Sequence, residues 1–275
     1  VCSSDLEEGF RLPEPGEVTE TVPFQLDRTI IETGAGIHDS SAALVPYLLH
    51  ARAPFTLVST GTWCITMNPF NREKLTSEEL RQDCLCFLSF RGNPVKSSRF
   101  FMGHIHDLNV QMMEDHFRVE RNSHRIIAPG PEVLRRAWRE AEKMVFFSDR
   151  DPPGPRNPED PREPCLIKDL IMLLKQFPSF EDAYIRFMAE ITRLAARSVR
   201  LVLPAEDTTE HLYVTGGFSR NTLFTTFLAL SFPAKKVFTS RVDNASSLGA
   251  AMVIHEKVFG IRELPYDLRL KEIAY

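Results

Sequence analysis

Long apolar runs are missing from this chain of 275 residues: nothing approaches the ~20 consecutive apolar residues needed to span a bilayer, and no basic start leads into an apolar stretch as in a secretory leader. A membrane partner is therefore not expected. A basic surplus is missing too. Lys and Arg number 33 against 37 Asp and Glu, for a formal net charge of -4, and the sequence pI is near 6.1. Proteins that grip phosphate backbones usually carry a basic face, so nucleic acid is not an expected partner. Cysteines are few: Cys2, Cys64, Cys84, Cys86 and Cys165 are odd in number and irregularly spaced, which fits neither a disulfide framework nor a paired C-x-x-C metal site. A reducing cytoplasm is the simplest setting. No fixed-period repeat occurs, which excludes solenoids.

What is present is ordinary globular material, 43% hydrophobic and 25% charged, with an alternation of strand-like and helix-like segments. Thr29-Ile30-Ile31 reads as a strand leading into the Gly34-Ala35-Gly36 turn, and Ser40 to His50 as a helix with Asp39 at its N-terminal junction. Phe55 to Met67, rich in Thr, Val and Ile, predicts two strands meeting at a tight turn near Gly61. Cys84 to Phe90 predicts a strand, and Asp107 to Phe117 a helix. The clearest helix is Ser179 to Val202, where Tyr184, Phe187, Met188, Ile191, Leu194 and Ala195 recur at helical spacing. Strand 211–215, helix 221–231, strand 236–239 and helix 244–257 complete an α/β layer pattern. Between them, residues 126–164 contain Asp151-Pro152-Pro153-Gly154-Pro155, Pro158, Pro161 and Pro164, and read as an irregular surface insertion.

Three segments concentrate the chemistry. Ile37-His38-Asp39-Ser40-Ser41-Ala42-Ala43-Leu44 offers a carboxylate at a helix start; Val58-Ser59-Thr60-Gly61-Thr62-Trp63 offers a Gly-Thr turn; Val214-Thr215-Gly216-Gly217-Phe218-Ser219-Arg220-Asn221 offers a Gly-Gly turn between strand and helix. One group to take a proton and backbone amides to hold phosphate are what phosphoryl transfer requires. Each has a plain structural alternative. Asp39 can simply cap its helix, and Gly61-Thr62 can be an ordinary hairpin turn. Ser219 reads better as the N-cap of the next helix, Trp63 as core, and His38 as a structural histidine. The Gly34-Ala35-Gly36 turn lacks the third glycine of a dinucleotide fingerprint. His104 and His106 with Asp107 do not make a convincing ligand set, and Phe101 to Asp107 reads as a solvated turn.

These segments, with Gly92-Asn93-Pro94-Val95-Lys96-Ser97-Ser98-Arg99-Phe100 and Ala245-Ser246-Ser247-Leu248-Gly249-Ala250-Ala251, resemble in order the C-terminal, nucleotide-binding half of FGGY-family carbohydrate kinases, particularly the rhamnulokinase-like and fuculokinase-like branch. The resemblance runs from about residue 27 to about residue 260. It implies an actin-like ATPase (ribonuclease H-like) α/β domain, a mixed sheet with flanking helices, over 27–260. Residues 1–26 are then an N-terminal tail, its first six residues resembling a translated sequencing-adapter remnant, and 261–275 a C-terminal tail. It further implies ATP-dependent phosphorylation of a ketose or related polyol hydroxyl, with Asp39 as catalytic base. Gly61, Thr62 and Thr60 would meet the γ-phosphate; Gly216, Gly217 and Asn221 would lie under adenine and ribose; Mg²⁺ would arrive with ATP. The implied partners are the sugar and a separate N-terminal kinase domain, without which this half is expected to be inactive; a homodimer is a candidate assembly. Alternatives are a non-catalytic ATP-binding fragment and an actin-like ATPase module with no sugar substrate. Where relatives continue the Ser-Arg-Phe motif with Gly-Arg-Glu, this chain has Phe101-Met102-Gly103-His104, so no substrate contact is placed there.

Overall fold

Strand β3 (Phe55–Thr60) is the spine of the molecule. The structure, a computed structural model, describes residues 16–147, 170–242, 244–260 and 266–274. The adapter-like start and the proline cluster at 151–164 lie outside the described residues. β3 turns at Gly61 into the antiparallel β4 (Cys64–Asn68), with Thr60 opposite Cys64. It also pairs in parallel with β7 (His211–Gly216), Thr60 lying opposite Gly216. β5 (Cys84–Leu88), β6 (Pro94–Phe100), β8 (Lys236–Thr239) and β9 (Lys271–Glu272) complete a seven-stranded sheet in the order β5-β6-β4-β3-β7-β8-β9. β8 runs parallel to β7, and the remaining pairings are antiparallel. The inner five strands follow the order third, second, first, fourth, fifth, which is the layout expected of an actin-like, ribonuclease H-like domain. β9 draws residues beyond 260 into the sheet edge.

Alternate residues of the spine point to opposite layers, as strand geometry requires. Val58, Leu212 and Val214 face helices α3 (Met102–Phe117), α6 (Phe180–Leu201) and α7 (Thr222–Ser231). Phe55, Leu57, Met67 and Tyr213 face α1 (Asp39–His50), where Leu44 and Tyr47 fill the space. Burying side chains such as Phe187 and Tyr47 fully contributes about 1.5–3 kcal/mol each. With helices on both faces, β3 reads as a near-continuous buried run rather than a half-polar one. α1 crosses α8 (Ala245–Phe259) at close range: a methyl group on Gly249 would stand 1.8 Å from the Ala42 carbonyl oxygen. The small-residue segment at 245–251 thus makes a tight helix contact.

Several expectations are corrected. The third helix starts at Met102, not Asp107, so His104, Ile105 and His106 are helical, and Ile105 and His106 are buried. Met102, Ile105, Asn109 and Met113 recur at helical spacing and bury one face, which overrides the turn tendency of Gly103. The 126–164 region is not wholly irregular, because α4 (Pro131–Glu140) forms within it. Pro131 sits at the helix start, where its missing N–H has no intrahelical partner to lose, and Trp138 stacks on Phe227 at 5.7 Å. Trp63 is half-buried rather than core and lies on Phe101 at 4.4 Å.

Short helices α2 (Ser77–Arg81) and α5 (Leu170–Leu174) complete the set. A separate hairpin, β1 (Thr21–Leu26) with β2 (Thr29–Gly34), precedes α1. β1 falls within the span expected to be tail. Val22, Phe24, Leu26 and Ile31 share one face of this hairpin, by register, and are exposed. Among the described residues no helix is long and apolar enough to cross a membrane.

Candidate functional site

The C-terminal ends of β3 and β7 are tied by one hydroxyl. Thr60, buried at the end of β3, donates from Oγ1 to the Thr215 carbonyl at 2.5 Å and accepts from the Phe218 N–H at 3.0 Å. The two turns that leave these strands, Gly61-Thr62 and Gly216-Gly217, are thereby held side by side. Gly216 must be glycine: its φ is 83°, and a side chain there would stand 1.8 Å from the Thr60 carbonyl oxygen. A methyl group at Gly61 or at Gly217, by contrast, would meet no atom within 4 Å. At those two positions the backbone borders open space that a ligand can enter.

That space is a cleft of about 570 Å³ whose walls include Gly61, Thr62, Gly217 and Asn221. Gly103, near the start of α3, presses on the first turn and donates its N–H to the Thr62 carbonyl at 3.0 Å. Thr222 and Leu223, which open α7, form another wall. The first N–H groups of a helix lack intrahelical acceptors and carry partial positive charge, so the α7 start favours an anionic group in the cleft.

Asn221, not Ser219, caps α7. Its Oδ1 accepts from the Phe224 N–H at 3.1 Å, whereas Ser219 Oγ donates to the Gly216 carbonyl at 2.7 Å. The reason is the single 3-10 turn formed by Gly217–Arg220, which delays the helix by two residues. The other end of the Asn221 carboxamide donates to Tyr184 Oη at 3.0 Å.

Behind Asn221 lies a polar chain that the sequence reading missed. Tyr184 Oη is 3.1 Å from His106 Nε2, and His106 Nδ1 is 3.0 Å from Asp107 Oδ1. His106 and Asp107 both line the cleft. Burial pulls the His106 pKa below the ordinary histidine value, an effect that Asp107 partly opposes. Burial likewise pushes the Tyr184 hydroxyl well above the ordinary tyrosine range.

Asp39 stands apart. It is the first residue of α1, with a side chain 79% exposed; Oδ1 accepts from the Ser40 N–H at 2.6 Å and lies 3.0 Å from His38 Nδ1. His38 is the N-cap of that helix and is itself exposed. Asp39 does not line the cleft, although its carbonyl accepts from Ser246 Oγ at 3.1 Å. Thus the structure gathers Gly61, Thr62, Gly217 and Asn221 around one space, sets Thr60 and Gly216 directly behind it, and leaves Asp39 open to solvent on a different element. Among the described residues no cluster of His, Cys, Asp and Glu is arranged to hold a metal ion.

Comparison with known proteins bears on this arrangement. Residues 52–141 match the family model described as carbohydrate kinase FGGY, C-terminal domain. No curated protein sequence matches the chain. Among solved structures, a carbohydrate kinase from Novosphingobium aromaticivorans is similar at 22% identity and TM-score 0.58, over 88% of this chain and 47% of that one. A ligand-bound xylulose kinase from Lactobacillus acidophilus is similar at 11% identity and TM-score 0.62, over 94% of this chain and 51% of that one. A gluconate kinase from the same organism is similar at 12% identity and TM-score 0.58, with the same coverage. The chain spans about half the length of these structures. Their names do not single out the rhamnulokinase-like or fuculokinase-like branch. The fold matches about half of each of these kinase structures, and the family match covers residues 52–141, which include Gly61, Thr62, Gly103 and His106.

Proposed function

We propose that this chain is the nucleotide-binding half of an ATP-dependent sugar kinase, a phosphotransferase acting on the hydroxyl of a ketose or related polyol. The observation that carries the reading is the pairing of two ligand-accessible glycine turns, Gly61-Thr62 and Gly216-Gly217, across one cleft by Thr60. ATP fits the donor set. Gly61, Thr62 and Gly217 line the cleft together with Thr222 and Leu223 at the start of α7, and glycine turns beside a helix start are where polyphosphates are commonly held. Gly61, Thr62 and Thr60 would serve the γ-phosphate side, and Gly216, Gly217 and Asn221 the nucleoside. Mg²⁺ would come bound to phosphate oxygens and retain most of its waters, needing no protein cage.

Asp39 is proposed as the base that takes the proton of the attacking sugar hydroxyl. Its exposure accords with an acceptor presented by another domain, because such a carboxylate must be reachable from outside this half. An N-terminal domain is proposed to precede this half in the intact protein. Coverage of only about half of each similar structure and the bare apolar face of the β1–β2 hairpin both favour it. The motifs quoted above favour the rhamnulokinase-like and fuculokinase-like branch, and the free Cys64, Cys84 and Cys86 accord with a reducing, cytoplasmic setting. By itself the chain is proposed to bind ATP without turning over sugar, since closure of two domains is what excludes water and positions the hydroxyl.

The test is Asp39→Asn in the two-domain enzyme. Turnover should fall by about 10²-fold or more, the scale of a lost general base, with ATP affinity nearly unchanged. Retained turnover would remove Asp39 from the role of base.

A further inference from the structure

We propose that Asp107, His106, Tyr184 and Asn221 form one directional hydrogen-bond relay that holds the nucleotide side of the cleft in place only while His106 is neutral. The inference rests on the reading of the cleft as a nucleotide site and names a positioning device within it.

The direction follows from donor and acceptor chemistry. The Phe224 N–H can only donate, so the Asn221 atom 3.1 Å away is the carbonyl oxygen, and the amide nitrogen is the one 3.0 Å from Tyr184 Oη. That nitrogen also only donates, so the Tyr184 oxygen accepts there and its proton is available to His106 Nε2 at 3.1 Å. In the proposed relay, Nε2 accepts that proton, and Nδ1 carries the ring proton and gives it to Asp107 Oδ1 at 3.0 Å. Each hydrogen bond sets the sense of the next. At one end is the solvent-exposed Asp107 carboxylate at the cleft wall; at the other is the N-cap of α7, whose first residues also line the cleft.

Protonation of His106 turns the bond between Nε2 and Tyr184 around and leaves the Tyr184 proton without this acceptor. Nε2 then bears a hydrogen, and the buried Tyr184 hydroxyl can no longer donate to it. The ring environment resists that charge. His106 is packed against Phe218 at 5.0 Å, Phe187 at 6.3 Å and Tyr184 at 5.9 Å, and against His124 at 5.4 Å from the 3-10 turn Ser123–Ile126. The charged groups facing it are Asp107 and the buried Glu114 of its own helix, the latter engaged by the Asn122 N–H at 2.7 Å. Burial lowers its pKa, with His124 acting in the same direction and the two carboxylates opposing.

Two measurements on the chain test this. Ring ¹⁵N shifts of His106 should show the neutral Nδ1–H tautomer and a pKa below about 6.5; an Nε2–H tautomer or an ordinary pKa overturns the relay. Calorimetric titration with Mg·ATP from about pH 8 to about pH 5 should show affinity falling more steeply in the wild type than in Tyr184→Phe or His106→Gln. At neutral pH Tyr184→Phe should weaken binding by about two- to tenfold, the worth of one hydrogen bond. His106→Gln can still accept from Tyr184 and should lose less affinity there than Tyr184→Phe. Identical pH profiles in all three overturn the proposal. Absence of Mg·ATP binding at every pH instead overturns the nucleotide reading, and the ring-shift measurement then decides the relay alone.

Discussion

A methyl group on Gly103 would stand 2.1 Å from the carbonyl oxygen of Gly61. The start of α3 therefore rests on the turn that borders the cleft, and the two cannot be separated by even one carbon without moving backbone.

From that contact, Gly103→Ala is expected to destabilise the fold by about 1–3 kcal/mol through overpacking, which corresponds to a melting temperature lower by about 2–4 °C per kcal/mol for a chain of this size. It should also weaken Mg·ATP binding, because the obstructing atom is the backbone of the cleft turn itself. A thermal melt and a calorimetric titration check both; an unchanged melting temperature would mean that α3 does not press on the turn.

Thr60→Val keeps the shape of the side chain and removes its hydroxyl. The Phe218 N–H loses its acceptor and the Thr215 carbonyl loses a donor, at a cost of about 1–3 kcal/mol for groups left unpaired in a buried place. Because Thr60 ties the two turns, Thr60→Ser should restore most of the loss in stability and in Mg·ATP affinity, while Thr60→Val should not.

The lowered pKa of His106 carries a sign for stability in the absence of ligand. The unfolded chain takes up a proton at about the ordinary value of 6.5, whereas the folded chain resists until lower pH. Stability from this group is therefore complete above about pH 6.5 and is lost as the pH falls toward the folded value. Urea unfolding at a series of pH values should show a steeper loss on the acid side in the wild type than in His106→Gln. Parallel curves would show that His106 contributes nothing to the linkage.

Much of this architecture is visible in local pattern. The Phe55–Met67 hairpin shows because β-branched residues surround a central glycine, and α6 shows because Tyr184, Phe187, Met188 and Ile191 repeat with helical period. The start of α3 does not, because Gly103 and two histidines mimic a turn and only packing on Gly61 shows why glycine is there. The cap of α7 is displaced from Ser219 to Asn221 by one 3-10 turn, which no local propensity dictates. For the site, the two glycine turns are legible as turns, but that Thr60 joins them is a contact across 155 residues of chain. The relay through His106 and Tyr184, 78 residues apart, is equally invisible until α3 and α6 are packed together.

The central claim, that the Gly61-Thr62 and Gly216-Gly217 turns jointly hold ATP, is tested most directly by backbone hydrogen exchange of the chain with and without Mg·ATP. The expected result is slowed exchange at Gly61 to Trp63 and at Gly217 to Leu223 in the presence of Mg·ATP, with β5 and β9, remote in the sheet, unchanged. Exchange unaltered at both turns, or slowed only elsewhere, would contradict the assignment of this cleft.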